Sequence, residues 1–405
     1  MAVALLLQGI ILLAAAAAGW IFLHRIRQRN SKDPKTWPLL GAQLETAFNL
    51  YPLHDWIFSF FRNDHRTVKL CLPSENLLFT VDPMNVEHIL KANFANYPKG
   101  EKSNYVAHDI LGDGIFNSDG DVWKKHRKLR DFFTDAFRTD ALRLVHILHS
   151  AALSDKPIDL QVNEIIGIRF FNAFWQIERA LNIGKERSLK QEVSVLNSFT
   201  ANIIDQKRLE LQGNNRSKVH LLSRFMSYNE DHPGTFTDRE FRDAVLNFVI
   251  AGRDTSAITL SWFIFCICIH PHVADMTKKV LRLKDSTRGY TFEEVAKRMS
   301  YDTLGTMHYL RAPLTETLRL YPAVPTDGKV AAGEDTLPDG TQVKRGDRVA
   351  YYHYSMGRME FLWGKDALTY NPDHWLQEGF SNRTLPSSFQ HLSFLDAEYT
   401  PIEVM

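Results

Sequence analysis

The sequence has 405 residues, 44% of them hydrophobic, which is enough for a large buried core in one large domain or two ordinary ones. A charged fraction of 23% and a formal net charge of +1 give no clustered basic excess, so nucleic acid is excluded as an expected partner. Three cysteines exclude a disulfide scaffold, fit a reducing compartment and match no zinc spacing.

The chain opens on an uncharged span from Ala2 to Leu23, with Gln8 its one strongly polar residue. As a helix with a rise of about 1.5 Å per residue it is about 33 Å long, the thickness of a bilayer core. Trp20 falls where interfacial aromatics sit, and His24, Arg25, Arg27, Arg29, Lys32 and Lys35 follow at once. Positive charge after the span and none before it predicts a transmembrane anchor over residues 1–24, with the downstream chain cytosolic. A cleaved signal peptide is the alternative, given the small residues Ala14 to Ala18; against it stand an uncharged start and a long apolar run.

Residues 25–45 form a connector, stiffened by Pro34, Pro38 and Gly41, and a body over residues 46–405 follows. Val68 to Val81 reads as a β-hairpin turning at Pro73-Ser74-Glu75-Asn76. Asp82-Pro83 starts a helix through Leu90, and Asp121 to Phe137 is helical. A long apolar helix begins at Thr237-Asp238 and runs to Ile269, where His270-Pro271 stops it. Another covers Tyr301 to Leu320 and ends at Tyr321-Pro322. Short strands follow, with turns at Pro338-Asp339-Gly340 and Arg345-Gly346-Asp347. The fold class is mainly α with small β-sheets, the strands clustering near both ends of the body.

Three constellations carry chemistry. Ala251-Gly252-Arg253-Asp254-Thr255-Ser256 puts a glycine, an acid and hydroxyls in the middle of a buried helix, with Asn247 two turns before Asp254 on one face. A kinked helix with a solvated face is the competing reading. Glu316 and Arg319 stand at i, i+3 between Leu314, Leu318 and Leu320, which makes them either a buried pair or a surface one. Trp123 and Arg127 stand at i, i+4, where an indole N–H and a guanidinium can together hold a carboxylate; a cation–π pair on an exposed helix is the alternative.

In this order the three resemble the cytochrome P-450 family. The resemblance implies that Trp123 and Arg127 bind a haem (heme) propionate and that Ala251, Gly252, Asp254 and Thr255 form the oxygen-binding helix motif. It makes Glu316 and Arg319 the family's acid–base pair near the haem. Finer runs resemble the plant long-chain fatty-acid ω-hydroxylases: Leu246 to Thr255, Leu260-Ser261-Trp262-Phe263, Met307-His308-Tyr309-Leu310, Thr315 to Pro325, and Tyr354 to Met359 with Leu362-Trp363-Gly364. These imply a monooxygenase of the endoplasmic reticulum membrane that places oxygen from O2 on the terminal carbon of a long-chain fatty acid. An NADPH-dependent reductase and membrane lipid are its other partners. Thr255 with Asp254 would relay protons, and Val249, Ala251 and Ile258 would line an apolar pocket.

Departures from the family pattern are equally plain. The family's haem-binding cysteine loop is missing after Pro372-Asp373-His374-Trp375, no cysteine follows Cys268, and no metal ligand is expected from this sequence. His374 stands where the family usually has arginine, and a histidine cannot reproduce a five-donor fork and can stand neutral. The interior looks shortened near 160–169. A P-450 fold incomplete at its C-terminus is therefore expected, with a haem-free membrane-anchored remnant or a mis-assembled gene product as the alternative to an enzyme.

Overall fold

The computed structural model describes residues 2–62, 64–73, 75–127, 165–166, 169, 174–212, 221–281 and 308–376. In chain order the helices are α1 (Ala2–Arg27), α2 (Gln43–Phe48), α3 (Leu53–Phe58), α4 (Pro83–Glu87), α5 (Glu101–Leu111), α6 (Trp175–Leu181) and α7 (Gly184–Gln212). They continue with α8 (Leu221–Asp231), α9 (Asp238–Ile269), α10 (Pro271–Leu281), α11 (His308–Leu320), α12 (His353–Met356) and α13 (Glu360–Trp363). The strands are β1 (Thr67–Cys71), β2 (Asn76–Thr80), β3 (Asp327–Val330), β4 (Asp335–Thr336), β5 (Gln342–Val343) and β6 (Arg348–Tyr351). The chain divides into two compact units: Met1–Pro98 with Trp262–Thr277 and Tyr309–Met405, and Lys99–Ser261 with Lys278–His308.

In the first unit, α1 forms over the uncharged span and ends on Arg25 and Arg27, cations that suit the negative end of the helix dipole. That end is tied to the connector. Arg25 donates to Glu45 at 2.7 Å, His24 pairs with Thr36 at 3.0 Å, and the Thr36 backbone N–H donates to Gln28 at 2.6 Å. Among the helices described through their side chains, no single one is long and apolar enough to cross a membrane.

The expected hairpin forms, β1 pairing antiparallel with β2 from Thr67 opposite Thr80 to Cys71 opposite Asn76. It joins strands from the far end of the chain in one sheet of order β1-β2-β6-β3, β2 running parallel to β6 and β3 antiparallel to it. Gly340 and Gly346, both at positive φ, sit in the turns read from the sequence. Behind the sheet, Val68, Leu78, Ile89, Val349, Tyr351, Met356 and Trp363 form the core. Asp82 caps α4 by accepting from the Met84 N–H at 2.9 Å, with Pro83 in the first turn, and a π-helical turn His88–Ala92 continues it.

The second unit is helical. Thr237 and Glu240 cap α9 reciprocally: the Thr237 N–H donates to the Glu240 carboxylate at 2.8 Å and the Glu240 N–H donates to the Thr237 hydroxyl at 3.3 Å. Helix α9, whose end belongs to the first unit, stops where His270-Pro271 predicts, but Pro271 then opens α10, because a missing N–H costs nothing at a first helical position. Two apolar clusters hold the second unit, one of Ile204, Phe225, Met226, Phe236 and Phe241, the other of Ile110, Ile165, Leu189, Leu196 and Leu246. Residues 120–127 are helical as expected. The rest of the predicted helix to Phe137, the start of the Tyr301–Leu320 helix up to residue 307, most of 160–169 and the tail after residue 376 lie outside the described residues.

Candidate functional site

Helix α9 runs unbroken through its central glycine. Ala251, Gly252 and Thr255 are half-buried, and the Thr255 hydroxyl donates to the Ala251 carbonyl one turn back. That bond uses its one proton and leaves its lone pairs to accept another donor. Thr259 repeats the pattern on the Thr255 carbonyl at 2.8 Å. The side chains of Val249 and Asp254 lie outside the described set.

Asn247, on the same helix, is occupied by structure. Its amide donates to the carbonyls of Leu111 at 2.9 Å and Asp243 at 2.7 Å, and its oxygen accepts from the Phe116 N–H at 3.2 Å. Asp243, 1% exposed, accepts from the Asp113 N–H at 2.9 Å and from Arg242 at 2.7 Å. The loop after α5 is thereby pinned to α9, and it approaches so closely that a Cβ at Gly112 would run into the Asp243 carboxylate and one at Gly114 into the Asn247 amide. The sequence shows the glycines and the polar helix residues but not that they meet.

The Arg127 guanidinium lies over the Trp123 ring, 5.3 Å from its centroid. The cation–π contact and the shared face therefore coexist. Between them in sequence, His126 is buried and burial lowers its pKa, so the ring is neutral. Elsewhere in this unit Arg169, 3% exposed, donates to both oxygens of Glu186 at 2.8 and 2.7 Å, to Asp109 at 2.8 Å and to the Val106 carbonyl at 2.8 Å. Sequence reading missed this ion pair, since no local spacing links residues so far apart.

In the first unit Glu316 is 0% exposed and Arg319 6% exposed, so the i, i+3 pair is a buried one. Arg319 donates to Glu316 through Nε at 2.8 Å and Nη2 at 2.7 Å. Its remaining protons go to the carbonyls of Gly357, Ala367 at 2.6 Å and Thr369 at 2.9 Å, which accounts for all five. A Cβ at Gly357 would strike the Arg319 carbonyl, so this position needs glycine. Glu316 also accepts from the Asn371 N–H at 2.7 Å and the Trp375 indole at 2.9 Å. Burial raises the pKa of its carboxyl, but the bonds from Arg319 and His374 outweigh that and hold it below the ordinary value.

His374 completes the cluster in a way its sequence position does not reveal. Nδ1 faces Glu316 at 3.3 Å and Nε2 faces Asp366 at 2.9 Å. The bond to Glu316 raises the imidazole pKa, with Asp366 adding to it. The ring thus stands between two carboxylates, which favour its charged form.

Of the three cysteines, only Cys266 lies beside the Glu316 cluster, with its thiol against Thr317. Cys71 is half-buried at the end of β1. Cys266 packs with Val273, Leu320 and Tyr370, and burial pushes its thiol pKa up to about 11. Cys268 is exposed on the last turn of α9. Among the described residues no cluster of three or more His, Cys, Asp or Glu side chains is placed to hold a metal ion.

The sequence profile of the family described as Cytochrome P-450 matches residues 32–154 and 155–394. Cytochrome P-450 704B1 of Arabidopsis thaliana is 38% identical, covering 94% of this chain and 87% of its own length. Cytochrome P-450 704C1 of Pinus taeda is 34% identical over 93% of this chain and 84% of its own. Cytochrome P-450 86B1 of Arabidopsis thaliana is 32% identical over 92% and 78%. The first of these alignments runs over 458 residues, more than the chain's 405, so it opens gaps in this chain. With the motif residues in their expected order and the profile matched along nearly the whole body, the chain belongs to the cytochrome P-450 family, whose members are haem-dependent monooxygenases.

Proposed function

We propose that this chain is built as a membrane-anchored monooxygenase that hydroxylates the terminal carbon of long-chain fatty acids, using O2 and electrons from an NADPH-dependent reductase. The observation that carries this reading is the mid-helix arrangement of Ala251, Gly252 and Thr255, with the Thr255 hydroxyl fixed on the Ala251 carbonyl inside a family-matched helix. When bound, haem supplies the iron that activates dioxygen. Trp123 and Arg127 fit a propionate. Thr255, with lone pairs free to accept, fits a role in handing protons inward together with Asp254. The fatty-acid substrate rests on the runs Leu246 to Thr255 and Thr315 to Pro325.

Helix α1 is the proposed anchor in the endoplasmic reticulum, residues 25–45 its connector, and residues 46–405 a cytosolic body. Exposed Ile11, Leu12, Leu13, Trp20 and Phe22 support contact with lipid, because leaving them in water forfeits the gain from burial. The body is proposed to lack an interior stretch near 160–169. Two profile segments that abut at 154 and 155, and alignments longer than the chain, support that shortening.

The proximal side of the haem does not fit. Cys266 is a buried, protonated thiol in an apolar cluster, Cys268 points outward from α9, and Cys71 is on the hairpin, so none serves as a thiolate ligand. This favours a second reading, a haem-free membrane-anchored protein. One experiment separates the two. The full chain is made in sealed microsomes with haem supplied, reduced and exposed to carbon monoxide. The monooxygenase reading predicts a thiolate-type red-shifted Soret band and the haem-free reading predicts none, while both predict that added protease digests the body. A thiolate-type band would discard the second reading, and a protected body would refute the anchor's orientation.

A further inference from the structure

We propose that His374 is a proton-operated clasp: charged, it bridges Glu316 and Asp366 and holds the 366–375 segment on α11; neutral, it releases one carboxylate and loosens that segment. The geometry requires it. A neutral imidazole has one N–H, so it donates to one neighbour and turns a lone pair toward the other. Both ring nitrogens face carboxylate oxygens, Nδ1 toward Glu316 at 3.3 Å and Nε2 toward Asp366 at 2.9 Å. Only the imidazolium satisfies both. Glu316 is fully buried and keeps Arg319, the Asn371 N–H and the Trp375 indole as donors, so a neutral ring sets a lone pair against one of the two carboxylates.

The charged groups around the ring are Glu316 and Arg319 from α11, Asp366 from the turn after α13, and Asp373 next to it in sequence. Arg319 opposes the proton, but it is spent on Glu316 and three carbonyls, whereas Asp366 is half-exposed and uses His374 as a partner. The balance raises the imidazole pKa and lowers that of Asp366, for which the His374 bond is the main cause. A folded pKa raised above the unfolded value of about 6.5 contributes stability that is complete below that pH. It is lost as pH rises through the folded value. An arginine at this position would have no such transition.

Two readouts test the clasp on the full chain. Trp363 has its ring 6.0 Å from that of His374, and the Trp375 indole donates to Glu316, so both report on the ring because an imidazolium quenches nearby indole fluorescence. As pH rises above about 6.5, native fluorescence should rise in one step and the melting temperature should fall by about 2 °C. His374→Arg should remove both steps. Asp366→Asn should move them to lower pH, and it remains informative if the arginine variant does not fold, since Asp366 is half-exposed. A wild-type chain without the steps, steps that persist in His374→Arg, or steps unmoved in Asp366→Asn would each overturn the proposal.

Discussion

Two glycines at positive φ differ in what lies opposite them. Gly112 combines a φ of +54° with a backbone pressed on the Asp243 carboxylate, while Gly340 has a φ of +86° and open space around it. An alanine at either position meets left-handed strain of about 1–3 kcal/mol. At Gly112 it must also displace a buried carboxylate that accepts two hydrogen bonds. Gly112→Ala is therefore expected to lower stability by about 2 kcal/mol more than Gly340→Ala. Urea denaturation of the two variants checks this, and equal midpoints would show that the loop after α5 yields freely. The clash at Gly112 cannot be read from the sequence, because it depends on what lies opposite.

The element that depends most on one ion pair is α11. Its last turn carries Arg319, whose guanidinium reaches Glu316 within the helix and the carbonyls of Gly357, Ala367 and Thr369 outside it. Glu316→Ala leaves that guanidinium buried with its partner gone, and exposes no compensating apolar gain. The cost should be about 3–5 kcal/mol, read as a fall in the denaturation midpoint at neutral pH. Glu316→Gln keeps the volume and an acceptor and should cost less. A Glu316→Ala chain with wild-type stability would show that the pair is dispensable. The i, i+3 spacing announced the pair; the three carbonyls, which turn a helix-surface pattern into a buried junction, come from residues about 40 to 50 positions later.

At the scale of the whole molecule, pH response gathers at carboxylates that accept several hydrogen bonds. One oxygen of Asp335 accepts from His88 at 2.8 Å, Asn93 at 2.9 Å and Tyr97 at 2.7 Å. Burial raises its pKa, but these bonds prevail and bring it to about 2. A folded pKa below the unfolded value of about 4 gives stability that is present above that pH and lost as pH falls toward the folded value. Acid titration of the melting temperature should therefore fall more steeply in the wild type than in Asp335→Asn between about pH 4 and about pH 2. Parallel curves would show that the three donors contribute nothing to acid stability.

The sequence by itself determined what depends on neighbours in the chain. The β1–β2 hairpin, the stop at His270-Pro271, the capped start of α9 near Asp238, the Glu316–Arg319 spacing and the cysteine inventory all follow from local pattern, because turns, caps and helix faces are set within a few residues. The tertiary structure alone decided what depends on residues brought from afar. It set β2 beside β6, Gly112 against Asp243, and Arg169 between Asp109 and Glu186. It also gave His374 a second carboxylate. A histidine read from the sequence is neutral or charged according to partners it does not name, and here Glu316 lies 58 residues away.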